Sequence, residues 1–413
     1  MPSSPSHGSL GCVCTRLPAT ARPVRQDVSV IEGDAAGPLS GLRVVELAGI
    51  GPAPFAAMVL ADLGADVVRV DRPASARDAH RDLVNRGRRS IAVDLKCAGG
   101  RTVALDLAAG ADVLIEGFRP GVMERLGLGP QTCLETNPRL VYGRMTGWGQ
   151  DGPQAQHAGH DIDFIAVTGA LNAIGPADGA PAPPLNLLGD LGGGAMVLVS
   201  GILAALLAVA RGAPGQVVDA AVVDGTALLT TFVHALRAQG LWSGARGHNV
   251  LDGGAPYYGV YECADGRYLA VGALEPAFYA ELLKRTGLQP TDDTAPQTRA
   301  DPARWAAGRR EWAALFATRP RDEWCRMLEA SDACVAPVLS WDEAPAHPQL
   351  SARRTFVQHD DTLQPAPAPR FSRTPAQLRL PPPHPGEHTD EVLRELGRTP
   401  DDVARLRADG AVA

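Results

Sequence analysis

A chain of 413 residues, 45% of them hydrophobic, is long enough for two domains at roughly 100–200 residues each and apolar enough to fill real cores. Its 39 basic and 46 acidic residues are mixed along the chain and leave a net charge of −7, so there is no electrostatic footprint for nucleic acid. Seven scattered cysteines, with Cys12 and Cys14 the one close pair, argue for reduced thiols in a cytoplasmic setting and against a disulfide framework or a metal site.

Residues 1–35 are rich in proline and serine, carry Arg16, Arg22 and Arg25, and hold no acidic residue before Asp27. Without a periodic apolar face they read as a disordered extension, either a targeting segment or a start placed too early. From Gly41 the text changes. LRVVELAG predicts a strand, GIGPAP a turn, FAAMVLADLG a helix ending at Gly64, and ADVVRVDR a second strand: a βαβ unit. Gly49 and Gly51 could open a dinucleotide fingerprint with Asp71 as its ribose-binding acid, but Pro54 stands where the third glycine belongs, which weakens that reading.

SIAVDLK, ADVLIEGFRPG and RLVYGRMTG predict further strands, with RTVALDLAAG a helix between the first two. Alternation of this kind predicts a doubly wound α/β domain that binds ligands beyond the carboxyl ends of its strands. Arg72, Lys96 and Arg119 fall at such ends; together they suit a polyphosphate, although each alone reads as a solvated edge charge.

The stretch from Gln156 to Ala205 brings together His160, Asp190 and a glycine-rich helix start, Gly192 to Gly194. Asp190 is expected at the N-cap, where free N–H groups and the helix dipole can stabilise an oxyanion. Singly, Asp190 is an ordinary cap and His160 a loop histidine; in combination they suit an acid/base pair. The run Leu191–Ala210 reaches the length of a membrane span, but its opening behind an ionisable Asp and three glycines predicts a buried core helix instead. A hairpin around Ala264–Gly266 and a helix from Pro276 begin a smaller domain, whose core should take Trp305, Trp312, Phe316 and Trp324. From Ala336 a proline-rich segment should wrap a surface and end on the helix TDEVLRELG. The expected divisions are 1–35 (extension), 36–225 (large domain), 226–335 (small α/β domain) and 336–413 (return segment and tail).

In collinear order, GPLSGLRVVELAGIGPAPFAAMVLADLGADVVRVDRP, ADVLIEGFRPGVMERLGLGP, RMTGWGQDGP, GHDIDFIAVTGAL, PPLNLLGDLGGG, GQVVDAAVVDG, LDGGAPYYGVYECADGRY, VGALEPAFY and PAPRFSRTP resemble the α-methylacyl-CoA racemase branch of the family III CoA transferases over about residues 37–390. The resemblance implies a large Rossmann-like CoA-binding domain, a small α/β domain and two chains interlocked as a homodimer. It implies an acyl-CoA thioester substrate and no separate cofactor, CoA being part of that substrate. His160 and Asp190 match the catalytic acid/bases, and Glu275 matches the glutamate that supports the histidine. Ile50, Arg72, Val93, Asp94, Leu95, Lys96, Gly117, Phe118, Arg119, Arg125, Gly159, Asp161 and Phe164 match the CoA-thioester contacts. The alternative is a CoA transferase in which Asp190 is a nucleophile that becomes acylated; that branch generally lacks a histidine where His160 stands and carries a GGGGQ-like loop where this chain has LDGGAPYY. A binding subunit without activity is a third reading, against which His160, Asp190 and Glu275 all stand intact.

Overall fold

The computed structural model describes residues 37–73, 81–359 and 361–413; the expected extension 1–35 lies outside the described residues. Apolar strands and largely apolar helices alternate through the first half. The strands are β1 (Arg43–Leu47), β2 (Asp66–Asp71), β3 (Arg88–Ala92), β4 (Val113–Glu116), β5 (Val141–Thr146) and β6 (Gln216–Ala221). They form one parallel sheet in the order β3-β2-β1-β4-β5-β6. Val67, Val70, Ile91, Val113 and Ile115 are buried, as strands covered by helices on both faces require. One core packs around the helices Pro52–Asp62 and Met196–Ala210, the other around Ala98–Ala109 and Thr389–Glu395.

Winding runs outward from β1 to β3 and then back to β4, so the connections leave β1 and β4 on opposite faces and open a crevice at their carboxyl ends. Gly51, at φ +74, turns the chain sharply from β1 into the next helix. That helix starts at Pro52, three residues before the expected Phe55, because proline is well placed at a first helical position.

The long apolar helix runs 24 residues, Leu187–Ala210, enough in length and composition to cross a membrane. Here it is a core helix: Leu198, Val199, Ile202, Ala205 and Val209 are buried in the first core cluster, as the sequence predicts.

A second, antiparallel sheet is made of β7 (Tyr258–Glu262), β8 (Tyr268–Gly272) and β9 (Val335–Pro337) and is covered by helices whose Trp305, Trp312, Phe316 and Trp324 are buried. The chain then returns to the large sheet. Arg86 binds the Asp62 carboxylate at 2.6 Å, the Gln364 side chain at 2.7 Å and the Pro365 carbonyl at 3.1 Å. Arg379 reaches the Ala65 carbonyl at 2.5 Å, and the Gly386 N–H donates to Ser90 Oγ at 2.9 Å. Two elements of this segment go beyond the sequence expectation. One is the hairpin β10 (Phe356–His359) and β11 (Thr362–Pro365); the other is the helix Pro400–Ala408, whose Thr399 and Asp402 form a capping box.

Candidate active site

Asp190 stands inside a helix, which corrects its expected place at an N-cap. The helix begins at Leu187 as a wide π-helical stretch, Leu187–Ala195, before tightening into Met196–Ala210. The Asp190 N–H, in the first turn of this helix, is taken by Asp161 Oδ1, to which it donates at 2.6 Å. The glycines that suggested a flexible start serve close packing instead. A methyl group on Gly189 would lie 2.3 Å from Asp161 Oδ1, and one on Gly193 would lie 2.6 Å from Thr226 Oγ1. A methyl group on Gly51 would lie 3.4 Å from Asp190 Oδ2, so the carboxylate borders the turn that leaves β1 at the crevice.

Burial pushes the Asp190 carboxyl up to about 6; the neighbouring Asp161 charge adds to the rise and His160 partly offsets it. A carboxyl in that range is available both as acid and as base near neutral pH. His160 and Asp161 come from one place, the start of the helix Asp161–Val167. Phe164 and Ile165 anchor that helix in the core, while the His160 N–H donates to the Asp163 carboxylate at 2.9 Å and its side chain stays exposed. His160 lies near enough to act electrostatically on the Asp190 carboxyl, whereas Glu275, expected to support the histidine, is not among the groups that act on it. Glu275 is the exposed residue preceding the helix Pro276–Thr286, and its charge acts on the Cys334 thiol. Among the described residues no hydrogen bond or ion pair joins Glu275 to His160 or Asp190 within one chain.

Because the sheet is parallel, several of the other expected residues follow the carboxyl ends of its strands. In lateral order they are Lys96, exposed after β3; Arg72, exposed after β2; Ile50, 84% exposed after β1; and Gly117 and Arg119, exposed after β4. Asp94 and Leu95 are half-buried beside Lys96, with Asp94 Oδ1 accepting the Lys96 N–H at 2.9 Å. Phe118 is half-buried, and Arg125 is exposed one helical turn beyond Gly121.

Two of the expected contact residues have buried side chains. Val93 is 1% exposed, and its backbone forms an antiparallel bridge with Val412. Phe164, 6% exposed, stands edge-on to Trp148 with ring centroids 4.8 Å apart. It fills the space that side chains on Gly147 and Gly159 would need, so it underpins the His160 loop and offers no ring face to a ligand. The dinucleotide reading also fails on geometry. Asp71 is 2% exposed and accepts from Arg69 Nε at 3.1 Å and from Ser90 Oγ at 2.7 Å, leaving nothing to hold a ribose.

Sequence reasoning missed that Asp161 holds the backbone of Asp190, 29 residues away, and that Arg144 ties together the loops after β4. Neither has a local signature.

The model of "CoA-transferase family III" matches residues 39–389. The alpha-methylacyl-CoA racemase of Mus musculus is 46% identical over 376 residues, which cover 91% of this chain and 97% of that protein. The alpha-methylacyl-CoA racemase of Homo sapiens is 44% identical, over 90% of this chain and 96% of that one. Among solved structures, a CAIB/BAIF family protein from Brucella suis superposes with a TM-score of 0.76 at 27% identity, covering 87% of this chain and all of the other. With the parallel sheet, the crevice and the family match over residues 39–389 in agreement, the chain belongs to CoA-transferase family III.

Proposed function

We propose that this protein is a racemase that interconverts the (2R) and (2S) forms of 2-methylacyl-CoA thioesters by moving a proton through an enolate. One observation carries the reading: the Asp190 carboxyl, pushed up to about 6 beside the turn after β1, feels the charge of a second acid/base group of different type, His160. One member of the pair removes the α-proton, leaving the C–H electron pair in the enolate, and the other delivers a proton to the opposite face. In the reverse direction the roles exchange. The thioester carbonyl supplies the electron sink, so no separate cofactor is needed. The Asp161 N–H, at the first turn of its helix, is a donor for the enolate oxygen. Lys96, Arg72, Arg119 and Arg125 suit the CoA phosphates. The identity to two curated racemases supports this reading over transfer. Five free cysteines among the described residues support a reducing, cytoplasmic setting.

Incubation of one epimer with the protein in D₂O should give α-deuterated product of both configurations, read by proton NMR. Added free carboxylic acid should receive no CoA, and hydroxylamine should trap no acyl group on Asp190. A fixed stereocentre with a hydroxylamine-sensitive Asp190 replaces the racemase by the transferase.

We also infer an interlocked homodimer, in which Glu275 of a second copy orients His160. Two facts support it: Glu275 is remote in its electrostatics from the pair within one chain, and Leu185, Leu187, Leu228, Leu229 and Phe232 stand exposed on or near the helices that carry Asp190. Light scattering should give twice the chain mass of 43.2 kDa, and active protein at the monomer mass rejects the dimer.

A further inference from the structure

Arg144 lies on β5, 7% exposed, directly beside Glu116 of β4, which is fully buried. Its guanidinium serves two carboxylates at once. Nε donates to Glu116 Oε1 at 2.9 Å, while NH1 and NH2 donate to Glu124 Oε1 and Oε2 at 2.8 and 3.4 Å. The second oxygen of Glu116 accepts the Phe118 backbone N–H at 2.7 Å. Each end of this chain of bonds therefore terminates on the segment that follows β4. Glu116 fixes the backbone at Gly117–Arg119, and Glu124 is adjacent in sequence to Arg125.

Nothing about the proton-transfer pair calls for these bonds. His160 and Asp190 are held by Asp161, Asp163 and the glycine contacts described above. A buried arginine whose partners are removed is costly, and charge-assisted bonds from a planar fork are stiff as well as strong, so such a strut holds one loop geometry where solvent-exposed arginines alone would wander.

We infer that Arg144 is a positioning residue: through Glu116 and Glu124 it presents the Gly117–Arg125 segment, with Arg119 and Arg125, to the phosphates of the CoA moiety. The assignment rests on the CoA-thioester reading above. Lysine cannot reproduce the strut, because a single ammonium head does not span both carboxylates in a fixed plane.

The test compares Arg144→Lys and Glu124→Gln with wild type on two thioesters of the same 2-methylacyl group, one of CoA and one of pantetheine, which lacks the nucleotide phosphates. Glu124→Gln alters a half-exposed side chain and keeps the fold intact even if Arg144→Lys does not. For the CoA thioester, Arg144→Lys should raise KM by about tenfold, the factor that follows from losing one charge-assisted bond, and Glu124→Gln by about threefold, with kcat within about twofold. For the pantetheine thioester neither variant should change kcat/KM.

Arg125→Ala separates the two levels of the argument. If it raises the CoA KM while Arg144→Lys and Glu124→Gln leave it unchanged, the strut is wrong and the CoA reading stands. If Arg125→Ala leaves the KM unchanged, the segment does not meet the phosphates and the proposal falls with that assignment. Equal losses on both thioesters would mean that Arg144 only supports the fold, which also overturns it.

Discussion

Asp190→Asn is expected to stop inversion of configuration, with a fall in turnover of about 10²–10⁴-fold, while one epimer still exchanges its α-proton with solvent. The surviving exchange is the informative part. With Asp190 unable to accept or deliver a proton, His160 can still remove one from its own face and return a deuteron to the same face, so label enters with retention. His160→Gln should give the mirror result, exchange of the other epimer alone. In wild type the pair holds one proton in either direction, so both epimers must share one pH profile, whose acid limb marks a second proton binding the pair. The stability consequence has a defined sign. The Asp190 carboxyl is raised from 3.8 to about 6, so the folded state binds the extra proton and stability falls as pH rises through that window. Asp190→Asn should therefore melt at or above the wild-type temperature at pH 8, with the difference closing below about pH 4. Loss of exchange for both epimers in Asp190→Asn would sink the two-base assignment; an ordered thioester in both variants, seen by retained binding, excludes simple loss of substrate.

The parts of this fold that were legible in the sequence are those whose signals are local. Strands such as Val113–Glu116 announce themselves by consecutive apolar residues, Pro276 marks the start of its helix, and Gly266 marks the hairpin turn. His160 and Asp190 stand out in the sequence as a combination beside the glycine-rich run, and the resemblance gives them their roles, because no spacing rule joins residues 30 apart. What misled was composition read without partners. Three consecutive glycines suggested an open helix start with free donors, whereas each faces another backbone or side chain and the helix begins earlier. Phe164 matched a ligand contact in the alignment of motifs, but with glycine at 147 and 159 its ring sinks into the core. The clasp of Arg86 on Gln364, 278 residues away, has no sequence signal at all.

Gly225→Ala should be among the most damaging single-methyl changes in the chain, and the reason discriminates between two ways glycine matters. Gly225 has no left-handed backbone, and in the helix Val222–Leu229 alanine is intrinsically favoured by about 1 kcal/mol. Against this, the added carbon would lie 1.8 Å from the Gly193 carbonyl oxygen, backbone against backbone, with no flexible side chain to move aside. Overpacking of this kind costs about 1–3 kcal/mol or more, so the collision outweighs the propensity. The helix that must yield is the one carrying Asp190, and its displacement should loosen the 2.6 Å bond from the Asp190 N–H to Asp161. Gly212→Ala provides the contrast: Gly212 ends the same long helix at φ +95 with open space around it, so alanine there should cost about 1–2 kcal/mol of backbone strain and leave kcat unchanged. Urea unfolding monitored by circular dichroism gives both stabilities, and kcat per folded molecule separates them further. A Gly225→Ala protein with wild-type midpoint and turnover would show that the Leu187–Ala195 and Val222–Leu229 helices do not meet backbone to backbone, and the packing account of Asp190 would have to be abandoned.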